Sequence, residues 1–184
     1  VFASVYPQRL DGITLSDTNI LYVEKTSDGK IKSLILNDVT GDMHTYGIVT
    51  KATSNSDDRT ISGSYEYITK GNTVSFSTNG TAYSVEAGQV VRIESDGRSV
   101  VSMTPLAEIT GRGNVEISGA YVDIGGKSYQ MSDKVEIYLK KTPDSAVFNM
   151  ITQDEFEELK DEYQVALYTY DSSVGGRVRI IVLS

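Results

Sequence analysis

The sequence predicts an all-β chain with one short helix. Three observations carry this: the make-up of its apolar residues, turn dipeptides spaced between short alternating runs, and a single capped amphipathic segment. The 184 residues include 19 Val and 15 Ile against 10 Leu and 8 Ala. β-Branched side chains lose rotamer freedom in a helix and pack well on a pleated surface, so this ratio favours sheet. Seventeen Thr, 12 Tyr and 16 Gly push the same way, and three Pro are too few for a Pro-rich linker. The length suits one domain or two small ones, with enough chain to bury a core.

Taken in order, residues 20–24 and 30–36 flank Ser27-Asp28-Gly29. Asp-Gly supplies the positive backbone angles of a tight turn, so this segment is predicted as strand, turn, strand. Residues 90–94 and 99–103 flank Asp96-Gly97 in the same way. Further strands are expected over 44–51, 60–68, 73–77, 81–85, 114–118, 120–124, 127–131, 134–140, 164–170 and 177–183. Asn79-Gly80 and Gly125-Gly126 mark further hairpins, and Gly175-Gly176 joins the last two strands. The polar stretch Lys51–Arg59 is expected to be a mobile loop.

The helix is expected over 152–163. Thr152 is placed to cap the first turn while Glu155 reaches back to the cap amide, a capping box, and Ile151 with Phe156 forms a hydrophobic staple. Phe156, Leu159 and Tyr163 share one apolar face at i, i+3 and i+7. Acids fill the first turn, where the helix dipole favours them. This segment holds six acids and one Lys, a net of -5 within a chain total of -8, which leaves only -3 over the other 172 residues. Acidity is therefore local. No basic footprint for nucleic acid or anionic lipid is present, and no apolar run reaches the roughly 18 residues of a membrane helix.

The chain has no Cys, no Trp and one His. Thiolate chemistry, disulfides and Cys/His zinc sites are excluded, and a triad would rest on His44 alone. His44, near Asp38 and Asp42, is expected to be a surface strand residue rather than a ligand or a base. Asn55 with Asp57 and Asp58 offers oxygens to calcium but lacks the spacing of a calcium loop, so a solvated loop is the preferred reading. Nothing selects two of the 25 acids as a glycosidase pair, and no nucleotide-binding or nucleophile-elbow motif occurs. No cofactor and no catalytic or metal residue is expected. Ligand contact is weighed at four tyrosines only. Tyr65 and Tyr67 share one strand face, as do Tyr168 and Tyr170, because side chains alternate with period two. Such pairs can stack on sugar rings or anchor a partner, but cross-strand packing is the preferred reading.

Self-similarity points to duplicated hairpins. Leu36-Asn37-Asp38-Val39-Thr40-Gly41 matches Leu106-Ala107-Glu108-Ile109-Thr110-Gly111, each shortly after an Asp-Gly hairpin. Residues 131–138 echo 15–22, and 125–131 echo 79–85. On this basis two small barrel-like units are expected, residues 1–110 and 111–184, the second carrying the helix. N-terminal strands are placed to pair with the second unit.

Several of these residues carry a resemblance. Asp28-Gly29-x-Ile31-x-Ser33-Leu34, then Val39-Thr40-Gly41 and Tyr46-Gly47-Ile48-Val49, resemble all-β modules of secreted Gram-positive bacterial cell-surface proteins, of the kind associated with surface-layer homology repeats. Gly88-Gln89-Val90-Val91 and the run from Gly175 to Val182 are similar to the same group. The resemblance implies an exported, extracellular or wall-located chain built of tandem small barrels, and it carries over no catalytic residue. A lack of Cys suits that setting. The function expected is a non-catalytic structural or interaction module whose partners are neighbouring modules or envelope components. The alternatives are a carbohydrate or wall-polymer binding module and an accessory domain of a surface enzyme.

Overall fold

A computed structural model describes residues 4–10, 13–37, 39–57, 60–111, 115–142, 145–169 and 176–184. It is all-β with one short helix, as the composition predicts. Two strands, β1 (Ile20–Lys25) and β2 (Ile31–Leu36), form a separate antiparallel ribbon. A five-stranded antiparallel sheet follows: β3 (Thr45–Asp57), β4 (Thr60–Thr69), β5 (Asn72–Asn79), β6 (Val90–Ser95) and β7 (Val100–Pro105). Its spatial order is β5-β4-β3-β6-β7, an open path. The third sheet has seven strands: β8 (Ala107–Thr110), β9 (Glu116–Ser118), β10 (Tyr121–Ile124), β11 (Lys127–Lys140), β12 (Phe148–Ile151), β13 (Val165–Thr169) and β14 (Val178–Leu183). They run β8-β13-β14-β11-β10-β9, with β12 on the far half of β11.

The helix α1 (Gln153–Leu159) begins as expected and stops earlier. Thr152 Oγ1 accepts from the Glu155 amide, and Glu155 Oε2 accepts from the Thr152 amide at 2.7 Å, completing the capping box. Phe156 is fully buried and Leu159 half-buried, while Tyr163 lies beyond the helix and is exposed. The chain leaves the helix where the Glu162 amide donates to the Leu159 carbonyl.

Three apolar clusters stack through the molecule. Phe156 of α1 packs on one face of the seven-stranded sheet with Ile137, Val165, Leu167, Ile181 and Leu183. On its other face, Tyr138, Phe148, Ile180 and Val182 meet Tyr46, Ile48, Ile68 and Val90 of the five-stranded sheet. The far face of that sheet holds Val49, Tyr65, Tyr67, Val91, Ile93 and Met103 under a cover that includes Val85. Strand alternation does the sorting: Ile48 and Val90 go to the middle cluster, Val49 and Val91 to the outer one. No residue of β1 or β2 belongs to any cluster.

β14 is central, pairing antiparallel with β13 and parallel with β11. All six of its residues are buried, as expected of a strand covered on both faces. Both ladders slip beside Arg179: Val178 faces Met131 and Thr169, but Ile180 faces Glu136 and Tyr168. This bulge re-aims side chains, so that Val178 and Ile181 reach the same cluster and Arg179 is turned out of it.

Several sequence expectations are corrected here. Residues 51–57 are not a loop: β3 continues to Asp57, pairing Lys51 with Glu66 and Asp57 with Thr60. Polar residues suit this arm because it projects with little to bury; Asp58 and Arg59 lie outside the described residues. Asn79-Gly80 is not a hairpin turn and 81–85 is not a strand. That segment instead crosses the outer cluster, where the Tyr83 amide donates to Tyr65 Oη at 2.6 Å. β11 runs on through Ser132-Asp133, though its ladder with β14 slips between Met131 and Glu136; Ser132 Oγ donates to Asp42 at 3.0 Å and accepts from the Lys134 amide at 3.1 Å. β8 and β12 were not foreseen; each is only four residues long.

Duplication also fails. The first Asp-Gly hairpin is a free-standing ribbon, while the second, β6–β7, lies within a sheet. Val39-Thr40-Gly41 lies in a connection where Gly41 has φ +66°. Ile109 and Thr110 belong to β8, and Gly111 is not in the left-handed region. The likeness is one of turn residues and strand alternation. Among the described residues β1 and β2 pair with each other and not with the second unit. The strands of both larger sheets run as open paths.

Candidate interaction surface

Two buried polar ties join the sheets. The first follows from the bulge in β14. Arg179 donates to the Asp42 carboxylate and to the Thr40 carbonyl, and also to Ser132 Oγ at 3.0 Å. Its guanidinium lies 4.9 Å from the centre of the Tyr46 ring, a cation–π contact. Arg177, fully buried, places Nη1 3.6 Å from the other Asp42 oxygen. Burial pushes the Asp42 carboxyl up, but the hydrogen bond and charge of Arg179, with Thr40 and Ser132, outweigh it and hold the group below its usual range.

The second tie receives the β4–β5 turn. Lys70 and Gly71 have φ +50° and +70°, the two positive angles of a type I′ hairpin. Their amides point into the seven-stranded sheet. The Lys70 amide donates to Glu136 Oε2 at 2.7 Å and the Gly71 amide to Tyr138 Oη at 3.3 Å. Tyr138 in turn donates to Glu136, and burial together with that carboxylate pushes its phenol far up. Glu136 is thus a receptor for a turn.

The tyrosines weighed as ligand contacts are largely interior. Tyr65 is buried, stacked on Phe76 with ring centres 5.3 Å apart. Its ring lies over Gly63, where any Cβ would collide with it. Tyr67 is buried and meets Phe76 edge-on. Tyr168 is half-buried and donates to Glu108 at 3.2 Å; burial and then Glu108 push its phenol up. Tyr170 lies outside the described residues. Tyr65 and Tyr67 therefore share a face, as alternation predicts, but the face is the outer cluster rather than solvent. His44 is half-buried just before β3, its Nε2 3.4 Å from Arg92 Nη1. Asn55 is exposed on β3, and Asp38 and Asp58 lie outside the described residues. Among the described residues no group of three or more His, Asp or Glu is placed to hold a metal ion.

A groove of about 780 Å³ runs between the β3–β4 arm and residues 80–89. Ser54, Ser84, Glu86 and Gln89 supply its polar lining. Tyr83 borders it, but the hydroxyl is turned inward to the Val100 carbonyl at 2.6 Å.

The surface that sequence reasoning missed is apolar. Ile20, Leu21, Tyr22, Val23 and Ile31 are exposed, five of the fifteen large apolar residues exposed among the described ones, and all lie within one ribbon. Leu21 and Ile31 are 62% and 60% exposed. A two-stranded hairpin is at best marginally stable alone, and apolar surface concentrated this way marks contact sites. The signal in the sequence was alternation that fails: Ile20-Leu21-Tyr22-Val23 is apolar on both faces, as in a strand covered twice.

A second feature is the outer edge of β5. Its eight residues, Asn-Thr-Val-Ser-Phe-Ser-Thr-Asn, contain no charge and no Pro, and its register with β4 runs unbroken from Asn72 to Asn79. Natural edges are usually blunted by Lys, Pro, bulges or brevity. The other sheet ends have such protection. β7 ends in Pro105 and its ladder is bulged, while β8, β9 and β12 are four, three and four residues long.

Compared with family models, with curated proteins and with solved structures, the chain matches none.

Proposed function

We propose that the chain is a non-catalytic structural or interaction module of a secreted or cell-envelope protein of a Gram-positive bacterium. The observation that carries the interaction reading is the β1–β2 ribbon, with five exposed large apolar residues outside every core cluster. Supporting it, the most deeply buried charged groups, Arg177, Arg179 and Glu136, are engaged in joining sheets or receiving a turn. The envelope setting rests on the resemblance of the hairpin and strand motifs and on the absence of Cys. Partners are then neighbouring modules or envelope components, reached through strand edges rather than through a cleft.

The polar groove beside Glu86 and Gln89 favours a second reading, a wall-polymer binding module. One assay separates them. The purified chain is tested on a panel of wall polysaccharides for retention and for release of reducing ends. Neither retention nor release is expected. Retention alone would promote glycan binding, and release abolished by one Asp or Glu substitution would establish an enzyme.

A further inference from the structure

Among the described residues two features have sheet edges with no strand paired to them, and each has what the other needs. The ribbon β1–β2 carries apolar side chains that no cluster covers and has open edges six residues long. β5 offers an open edge of eight uncharged residues with an unbroken register. We infer that the ribbon of one copy adds to the β5 edge of a second copy, so that the chain assembles head to tail. This rests on the interaction reading above and names its partner.

The chemistry of the two surfaces agrees. Register pairs Val23 with Leu34 and Ile20 with Leu36, so Ile20, Val23, Leu34 and Leu36 share one face of the ribbon, the bulge between Ile20 and Tyr22 taking up Leu21. On β5, Val74 and Phe76 pair with Tyr67 and Tyr65, whose rings form the outer cluster. That apolar row ends at the edge, where Val74 is 36% exposed. A strand added there with its Leu-Val face inward extends the row by two strands and pairs the free backbone groups of both edges. Charge does not oppose the approach, since β5 has none. A long unprotected edge is an aggregation hazard, and an edge that is used needs no blunting.

Because each copy has one ribbon and one β5, the contact is heterologous. A single such contact leaves one ribbon and one β5 edge unused, and repetition gives open chains unless the rotation closes a ring.

The test is sedimentation of the purified chain at increasing concentration, with two variants that each disable one half. Ile20→Lys with Val23→Lys places charge on the ribbon's apolar face; Val74→Lys points a charge inward at the edge. The unaltered chain is expected to form a concentration-dependent series of oligomers. Each variant alone should lose at least ~tenfold in association constant. Mixed together, they should form a dimer and nothing larger, because one retains an intact edge and the other an intact ribbon. Circular dichroism melts check that both variants fold; if Val74→Lys does not, Ser77→Lys on the opposite face of β5 replaces it.

A chain that stays monomeric up to about 1 mM overturns the inference. So does association that Val74→Lys leaves intact, which would mean that ribbons pair with each other. Neither result touches the interaction-module reading, which the polysaccharide assay decides separately.

Discussion

β14 and the β1–β2 ribbon are made of nearly the same material. Val-Arg-Ile-Ile-Val-Leu in β14 is matched by Ile-Lys-Ser-Leu-Ile-Leu in β2, yet all six residues of the first are buried and none of the second. The difference lies in what reaches each strand. β14 receives β13 on one edge, β11 on the other, a cluster on each face, and Asp42 for Arg179. Among the described residues the ribbon's strand pairing is confined to its own two strands, which leaves Ser33 to Leu36 half-buried and Ile31 exposed. Apolar composition therefore identifies strands that can be covered, while the cover itself is supplied by distant parts of the chain or by another molecule.

The sharpest way to break the buried side of this comparison is to remove Asp42. Asp42→Ala leaves Arg177 and Arg179 without their carboxylate. Denaturant unfolding should show a loss of about 3–5 kcal/mol, as for other buried pairs deprived of one partner. A loss below about 1 kcal/mol would put the tie in the class of solvent-exposed pairs. Phe156→Ala, which empties the space between α1 and the seven-stranded sheet, should cost roughly 3–5 kcal/mol. Ile181→Ala in β14 should cost about 2–5 kcal/mol.

Acid provides a graded version of the first test. The folded-state carboxyl of Asp42 is held below its usual range, so its contribution is fully present above the unfolded value of about 3.9 and is lost as pH falls through the folded value. Stability should accordingly decline below about pH 4, and Asp42→Asn should flatten that decline while lowering stability at neutral pH. An unchanged acid limb in the variant would assign the decline to other carboxylates. The smallest effect belongs to the ribbon: Leu21→Ala should change the unfolding free energy of dilute, monomeric protein by no more than about 0.5 kcal/mol. A larger loss would show that the ribbon is covered within its own chain.

What was legible in the sequence was local. Asp28-Gly29 and Gly125-Gly126 specify turns through backbone angles alone, and Thr152 with Glu155 specifies the helix start through hydrogen bonds three residues apart. Pairings between distant segments were not legible. Ser132-Asp133 looked like a break because its partner, Asp42, is 90 residues away in sequence. The arm at 51–57 looked like a loop because its polar side chains gain little from pairing that its backbone makes anyway. Tyr65 and Tyr67 were correctly placed on one face, but whether that face was wet depended on residues 81–85 crossing over it. The Lys70-Gly71 turn escaped notice because Lys is uncommon at positive φ; here two acceptors, Glu136 and Tyr138, wait for its amides.

The central place of β14 also sets an order of assembly. Every pairing of the five-stranded sheet is made within residues 45–105, between strands adjacent in the chain or brought back by one short excursion. The seven-stranded sheet instead needs residues 178–183 to bridge β11 and β13. A chain emerging N-terminus first, from a ribosome or a membrane pore, can complete the early sheet while the later one stays unjoined. Non-local strand pairing of this kind is slow, and it leaves apolar strands exposed while it waits. Over that interval Ile48, Ile68 and Val90 lack the cover of Ile180 and Val182, and the face they share stays adhesive until residues 178–183 have joined.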